Sequence, residues 1–189
     1  MIYLMRHGDT LFNVEGRLLG QTDIPLCPIG VEKVKQAACA IAELNINFIF
    51  SSPYLRALQT ADILASSMDT FFSIHKDFRE RHLGVMDGKF KHNPEFSALV
   101  AMLGEKEFIP PEGESVDACI GRFSRALELV TREHAGNILI ISHGGVISLF
   151  MKYVMMVDSN FTFLDNCAFH TLTAGPGQQF FVNTLNTSF

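Results

Sequence analysis

Three short apolar runs, at residues 2–5, 48–50 and 138–141, each precede a segment whose apolar residues recur at helical spacing. This alternation narrows the fold more than any other feature of the chain. In residues 28–44 the face is Val31, Val34, Ala38, Ile41 and Leu44. Ser52-Pro53 reads as the start of a second helix, with Pro at the first helical position, continued by Leu58, Ala61, Leu64 and Ala65. Ser115 precedes a third face at Val116, Ile120, Phe123, Leu127 and Val130, and Val146, Leu149, Phe150 and Tyr153 form a fourth. The three runs are too short for helices and read as buried strands. Strands alternating with helices predict an α/β fold, a three-layer sandwich with a mostly parallel central sheet.

Residues 71–75 read as a further strand and 96–103 as a short helix. The chain ends in a hairpin: residues 167–173, a Gly175-Pro176-Gly177 turn and residues 180–183, which add an antiparallel edge. A length of 189 residues suits one domain spanning 1–189. Residues 89–112 contain Pro94, Pro110 and Pro111 and fit the alternation least, so they are expected to form a small insertion over the active site.

Composition excludes several function classes. With 48% hydrophobic and 19% charged residues the chain is globular rather than disordered. A net charge of -5 leaves no electrostatic footprint for nucleic acid, so an anionic ligand must be met by local positive charge. Residues 137–157 are apolar but contain His143, Gly144-Gly145 and Lys152, which suits a strand followed by a core helix rather than a membrane span. The opening MIYLM is too short for the apolar core of a signal peptide, and a cytoplasmic location is expected. Cysteines 27, 39, 119 and 167 form no C-x-x-C, and the seven histidines form no H-E-x-x-H, so neither metal nor cofactor is expected.

The reactive residues gather where strands end. Residues 2–5 lead into Arg6-His7-Gly8, residues 48–50 into a helix carrying Arg56, and residues 138–141 into Ser142-His143-Gly144-Gly145. Ligands of open α/β sheets bind beyond the carboxyl ends of the strands, so two Arg and two His converge on one crevice. Their common fit is a tetrahedral oxyanion. Arginine offers a planar fork to phosphate, and Gly144 at a helix start lets backbone N–H groups approach an anion. Neutral imidazole is a competent nucleophile towards phosphorus. Adjacent Arg6 disfavours the imidazolium. His143 is suited to hold a transferred phosphoryl oxygen, and Glu80 in FRERHLG is the first candidate for the leaving-group proton, with Glu112, Glu114, Asp87 and Asp9 as rivals.

These motifs resemble, in order, those of the histidine phosphatase superfamily, the phosphoglycerate-mutase-like fold. RHGDTLFN, SSPYLRALQTA, RERHLGVMDG, EGES and SHGG carry the resemblance from residue 1 to about residue 145. It implies that His7 becomes phosphorylated, that Arg6, Arg56, His143 and Asn13 form the phosphate pocket, and that Glu80 protonates the leaving group and then helps activate water. Asn13 is also open to a turn role, and Gln21 and Thr22 either face substrate or build their loop. Cys27 stands where the family often has Thr or Ser, which weakens a helix cap.

Dedicated mutases similar to this chain carry a longer insertion with extra basic residues; here residues 89–112 are short and offer Lys89, Lys91, His92 and Lys106. The resemblance therefore implies a phosphatase acting on a small phosphorylated metabolite, α-ribazole phosphate or a broad range of esters. A phosphoglycerate mutase and a non-catalytic phosphate-ligand module are the alternatives. No nucleic-acid or membrane partner is expected, and an edge strand offers pairing into a homodimer.

Overall fold

The computed structural model describes residues 1–158, 160, 162–175, 177 and 179–188. Pro176 of the expected hairpin turn lies outside the described residues. Strand β1 (Ile2–Arg6) pairs in parallel with β4 (Ile138–Ser142), β4 with β2 (Phe48–Ser51), and β2 with β3 (Phe72–Ile74). The final hairpin, β5 (Phe169–Ala174) and β6 (Phe180–Thr187), adds two antiparallel strands beside β1. The six-stranded order is β3-β2-β4-β1-β5-β6.

Period-two alternation divides each central strand between two cores. Leu4, Ile138 and Ile140 face α5 (Val116–Glu133) and α6 (Gly144–Tyr153), where Phe123, Leu127, Phe150 and Ile147 are fully buried. Met5, Leu139 and Ile141 face α2 (Pro28–Ala42) and α3 (Leu55–Ser67) with Val34, Ile41, Ala61 and Leu64. The expected α/β sandwich is thus observed, with β4 and β1 buried on both faces as near-continuous apolar sequence requires.

Two local readings need correction. The second helix starts at Leu55, not at Pro53; Asp23 accepts the Leu55 N–H (2.7 Å) from another loop, so the cap is supplied at long range. Ser52 is instead a partner of His143. A short helix absent from the periodicity, α1 (Leu11–Val14), begins at a capping box in which Thr10 and Asn13 satisfy each other's backbone N–H. Cys27 caps α2 without a side-chain hydrogen bond. That helix is instead seated by Gly30, whose missing Cβ lets it lie against the Asp9 backbone.

Residues 89–112 carry α4 (Ser97–Met102). Phe96, Leu99, Val100, Leu103 and Phe108 pack on Leu18, Leu83 and Met86, a third small core separate from the two around the sheet.

Candidate active site

A cleft of about 280 Å³ opens beyond the carboxyl ends of β1 and β4, with Arg6, His7, Asn13, Glu80 and Gly144-Gly145 in its wall. His7 leaves β1 with its backbone N–H on the Ser142 carbonyl (3.1 Å), so the two central strands fix its Cα. Its Nδ1 lies 2.7 Å from the Gly8 carbonyl, which can only accept. The proton therefore sits on Nδ1 and the lone pair on Nε2, the nitrogen a phosphorus electrophile needs. Burial, then Arg56 and Arg6, hold this imidazole well below the usual histidine range, so it is neutral at pH 7.

Arg6 donates from Nη1 to the Leu164 carbonyl (2.8 Å), and its buried Nε has no hydrogen-bond partner among the described residues. An orphaned guanidinium N–H at the foot of a cleft is costly unless an anion takes it. Asn13 keeps Oδ1 on Thr10 (3.1 Å to N, 3.0 Å to Oγ1), which leaves its Nδ2 as the atom that can donate into the cleft. The carbonyl end of Asn13 builds the turn, and its amino end is the part able to face a ligand. Asn166 ties this corner together by donating to the His7 carbonyl (2.9 Å).

Glu80 is buried against the start of α6. Its Oε2 accepts the Gly145 N–H (2.8 Å), and its Oε1 accepts those of Val146 (2.8 Å) and Arg81 (2.7 Å). Burial raises this carboxyl; the three N–H groups and Arg56 oppose it, and burial wins. Oε2, with one N–H against two at Oε1, is the oxygen with room for a proton. A Cβ at Gly145 would stand 2.8 Å from Oε1, so glycine is required for the contact.

The rival carboxylates are committed elsewhere. Glu114 forms a bidentate pair with Arg122 (2.8 and 2.9 Å), and Asp87 holds the N–H groups of Gly20 (2.8 Å) and Thr22 (2.7 Å). Asp9 pairs with Lys33 (2.6 Å), and Glu112 is not among the cleft residues.

Arg56 and His143 stand behind His7 rather than in the cleft wall. Arg56 is fully buried; it donates from Nε to His143 Nδ1 (3.2 Å), from Nη1 to the Thr22 carbonyl (2.9 Å) and from Nη2 to the Gly20 carbonyl (2.8 Å). His143 therefore carries its proton on Nε2, 2.6 Å from Ser52 Oγ. Burial, then Arg56 and His7, keep it well below the usual histidine range. Its ring meets His7 edge-on with centroids 5.1 Å apart. Three of the five Arg56 N–H groups and both His143 ring nitrogens are partnered within the protein, and the charge of Arg56 adds to the field at His7. Of the two readings open for Gln21 and Thr22, the contacts are those of the loop. Neither lines the cleft; Gln21 donates to the Glu80 carbonyl (3.1 Å) and Thr22 to Asp87 (2.9 Å), so the loop is structural.

Two arginines were not singled out in the sequence. Arg122 reaches from α5 to the carbonyls of Asp77 (2.9 Å), Arg79 (2.7 Å) and Glu80 (3.0 Å), holding the backbone that presents the Glu80 carboxyl. Arg81 donates to the carbonyls of Glu114 (2.8 Å), Leu103 (2.8 Å) and Phe108 (2.7 Å), clamping residues 89–112 beside the cleft. On an amphipathic helix or in a charged loop such residues look like solvated surface. Their partners lie 22 to 45 residues away.

A neutral imidazole with an open Nε2 and an unpaired arginine N–H at a strand end, facing a buried carboxyl, make an α/β site suited to a tetrahedral oxyanion. The chain belongs to the histidine phosphatase superfamily (branch 1), whose family model matches residues 2–187. It is 33% identical over 154 residues to phosphoglycerate mutase-like protein 4 of Arabidopsis thaliana, covering 77% of this chain and 67% of that one. It is 32% identical over 148 residues to the probable phosphoglycerate mutase GpmB of Escherichia coli, covering 76% and 69%. Its fold is that of a mycobacterial glucosyl-3-phosphoglycerate phosphatase, with a TM-score of 0.88, 22% identity and coverage of 99% and 98%.

Proposed function

We propose that the protein is a phosphatase of small phosphomonoesters that works through a phosphohistidine on His7. The observation that carries this reading is the uncommitted His7 Nε2 sharing one cleft with the unpaired Arg6 Nε and the Glu80 carboxyl. In the first step the Nε2 lone pair forms the N–P bond, the P–O bond to the alcohol breaks, and the proton of Glu80 passes to the departing oxygen. In the second, water attacks phosphorus, gives its proton to the Glu80 carboxylate, and the N–P electron pair returns to His7. Arg6, the Asn13 amide and the N–H groups at Gly144 stabilise the equatorial oxygens. Arg56 and His143 keep His7 oriented and neutral.

Incubation with a ³²P-labelled ester should give an acid-labile label on His7 and free phosphate. His7→Ala should lose both; stable label on His7→Ala would overturn the assignment. Chelation should leave turnover unchanged, and loss of activity restored by Mg²⁺ or Zn²⁺ would contradict the proposed chemistry.

A mutase is the second reading, favoured by the names of the curated relatives. The short segment 89–112 favours water as the acceptor. Isomer or free phosphate from 3-phosphoglycerate separates the two. Label on His7 also separates either enzyme from a non-catalytic phosphate-binding module. A panel including α-ribazole phosphate, phosphoserine and sugar phosphates addresses the range of esters.

A further inference from the structure

The wall of the cleft beyond the phosphate end is made from separate segments that each bring an apolar side chain. Leu18 and Leu19 come from the loop after α1, Leu83 follows the acid, Leu103 comes from residues 89–112, Leu149 from α6, and Phe163 from the segment before β5. Leu18, Leu83 and Leu149 are buried, whereas Phe163 stands 59% exposed at the rim.

The polar side chains among them are largely spent. The Ser148 hydroxyl donates to the Thr162 carbonyl (2.7 Å). Arg17 lies over the Phe12 ring (3.7 Å) and donates to the Gly88 carbonyl (2.6 Å) and to Glu15 (3.2 Å). Arg81 is held by its three carbonyls. Asn13, Arg6 and Glu80 belong to the reacting end. Lys91 also lines the cleft; burial and then the charge of Arg6 lower its ammonium.

A leaving group rich in hydroxyls would exchange water for leucine on this wall, and unmade hydrogen bonds are penalised more heavily than made ones are rewarded. An apolar alcohol gains with every methylene it buries.

From this we infer that the cleft selects phosphate monoesters of apolar alcohols, alkyl or aryl, over those of sugars and polyols. The inference rests on the phosphohistidine reading and specifies its substrate class. The six apolar side chains are the specificity-determining surface, with Leu103 and Phe163 on the outer side.

The test is the series ethyl, butyl and hexyl phosphate against glycerol 3-phosphate and glucose 6-phosphate, whose leaving alcohols are all aliphatic, so that lipophilicity rather than leaving-group chemistry is compared. kcat/KM should climb along the alkyl series, by about three- to fourfold per methylene where the chain is fully buried, and both polyol esters should fall below butyl phosphate. In Leu103→Asn and Phe163→Asn the dependence on chain length should flatten; because this is a ratio between substrates on one preparation, partial misfolding cannot mimic it. A flat or falling series with the polyol esters preferred, or a slope unchanged in both variants, overturns the inference. If phosphate is still released and His7 still labelled, the hydrolase reading survives that result; if no ester is turned over and His7 takes no label, both fall together.

Discussion

At His7 burial and the neighbouring arginines act in the same direction, whereas at Glu80 burial acts against hydrogen bonding and prevails. His7 is therefore already neutral through the range where a histidine ordinarily titrates, and Glu80, the proposed acid, keeps its proton above the ordinary glutamate value. For an alkyl phosphate, kcat should show no acidic limb near about pH 6.5 and should fall as pH rises through a limb above about 4.3, the ordinary values of the two groups. Glu80→Gln should cost about 10²–10⁴-fold on alkyl esters and less on an activated aryl phosphate. It should also remove the alkaline limb; equal losses on both esters would show that Glu80 is not the acid. The stability sign follows from the same shifts. His7 and His143 bind fewer protons folded than unfolded, so the stability they contribute is present above about pH 6.5 and is lost as pH falls below it. The raised Glu80 carboxyl acts with the opposite sign, so the check is made in Glu80→Gln, where a urea midpoint that does not fall as pH drops below about 6.5 would contradict it. Gly145→Ala forces the Glu80 carboxylate to move, and should lower kcat on alkyl esters more than on aryl esters.

Between elements, the decisive contact is α5 with the loop that carries the acid. Arg122 is buried and Glu114 half-buried, and the pair is bidentate; burial raises the Glu114 carboxyl, but Arg122, the His82 N–H and Arg79 together bring it below its ordinary value. Arg122→Met leaves Glu114 without its ion-pair partner and the Asp77 and Arg79 carbonyls without a donor among the described residues, while Gln21 still donates to the Glu80 carbonyl. Breaking such a pair costs about 3–5 kcal/mol, and urea melts should show it. The double variant Arg122→Met/Glu114→Gln should cost less than the two single changes summed, because they share one contact. Strand and helix positions were readable from periodicity because burial on two faces imposes it. The start of α3 was not, because Asp23 caps it from a loop 32 residues away. Helix α1 is too short for any period to register.

For the whole molecule, the segment at residues 89–112 lines one side of the cleft and is held there at residues 103–108 from two elements. Arg81 grips Leu103 and Phe108, and the Tyr153 hydroxyl donates to the Gly104 carbonyl (2.7 Å) from the end of α6. Arg81→Met should raise amide exchange across residues 97–112 while β1 and β4 stay protected, because their amides are secured by the sheet and its two cores. Equal deprotection of the sheet would show that Arg81 supports the global fold instead.

The alternation of apolar runs and helical faces determined the α/β sandwich, and Arg6-His7 and His143 at strand ends, with Glu80 in its own motif, carried the family resemblance, because both depend on local order along the chain. Tertiary structure alone decided which polar atoms remain for a ligand. Arg56 and His143 turned inward to His7, and Thr22 and Gln21 went to the loop. Arg122 and Arg81 went to backbone carbonyls, and six apolar side chains from distant segments formed the leaving-group wall. A side chain's partners lie wherever the fold delivers a carbonyl or a carboxylate, and spacing along one chain does not record that.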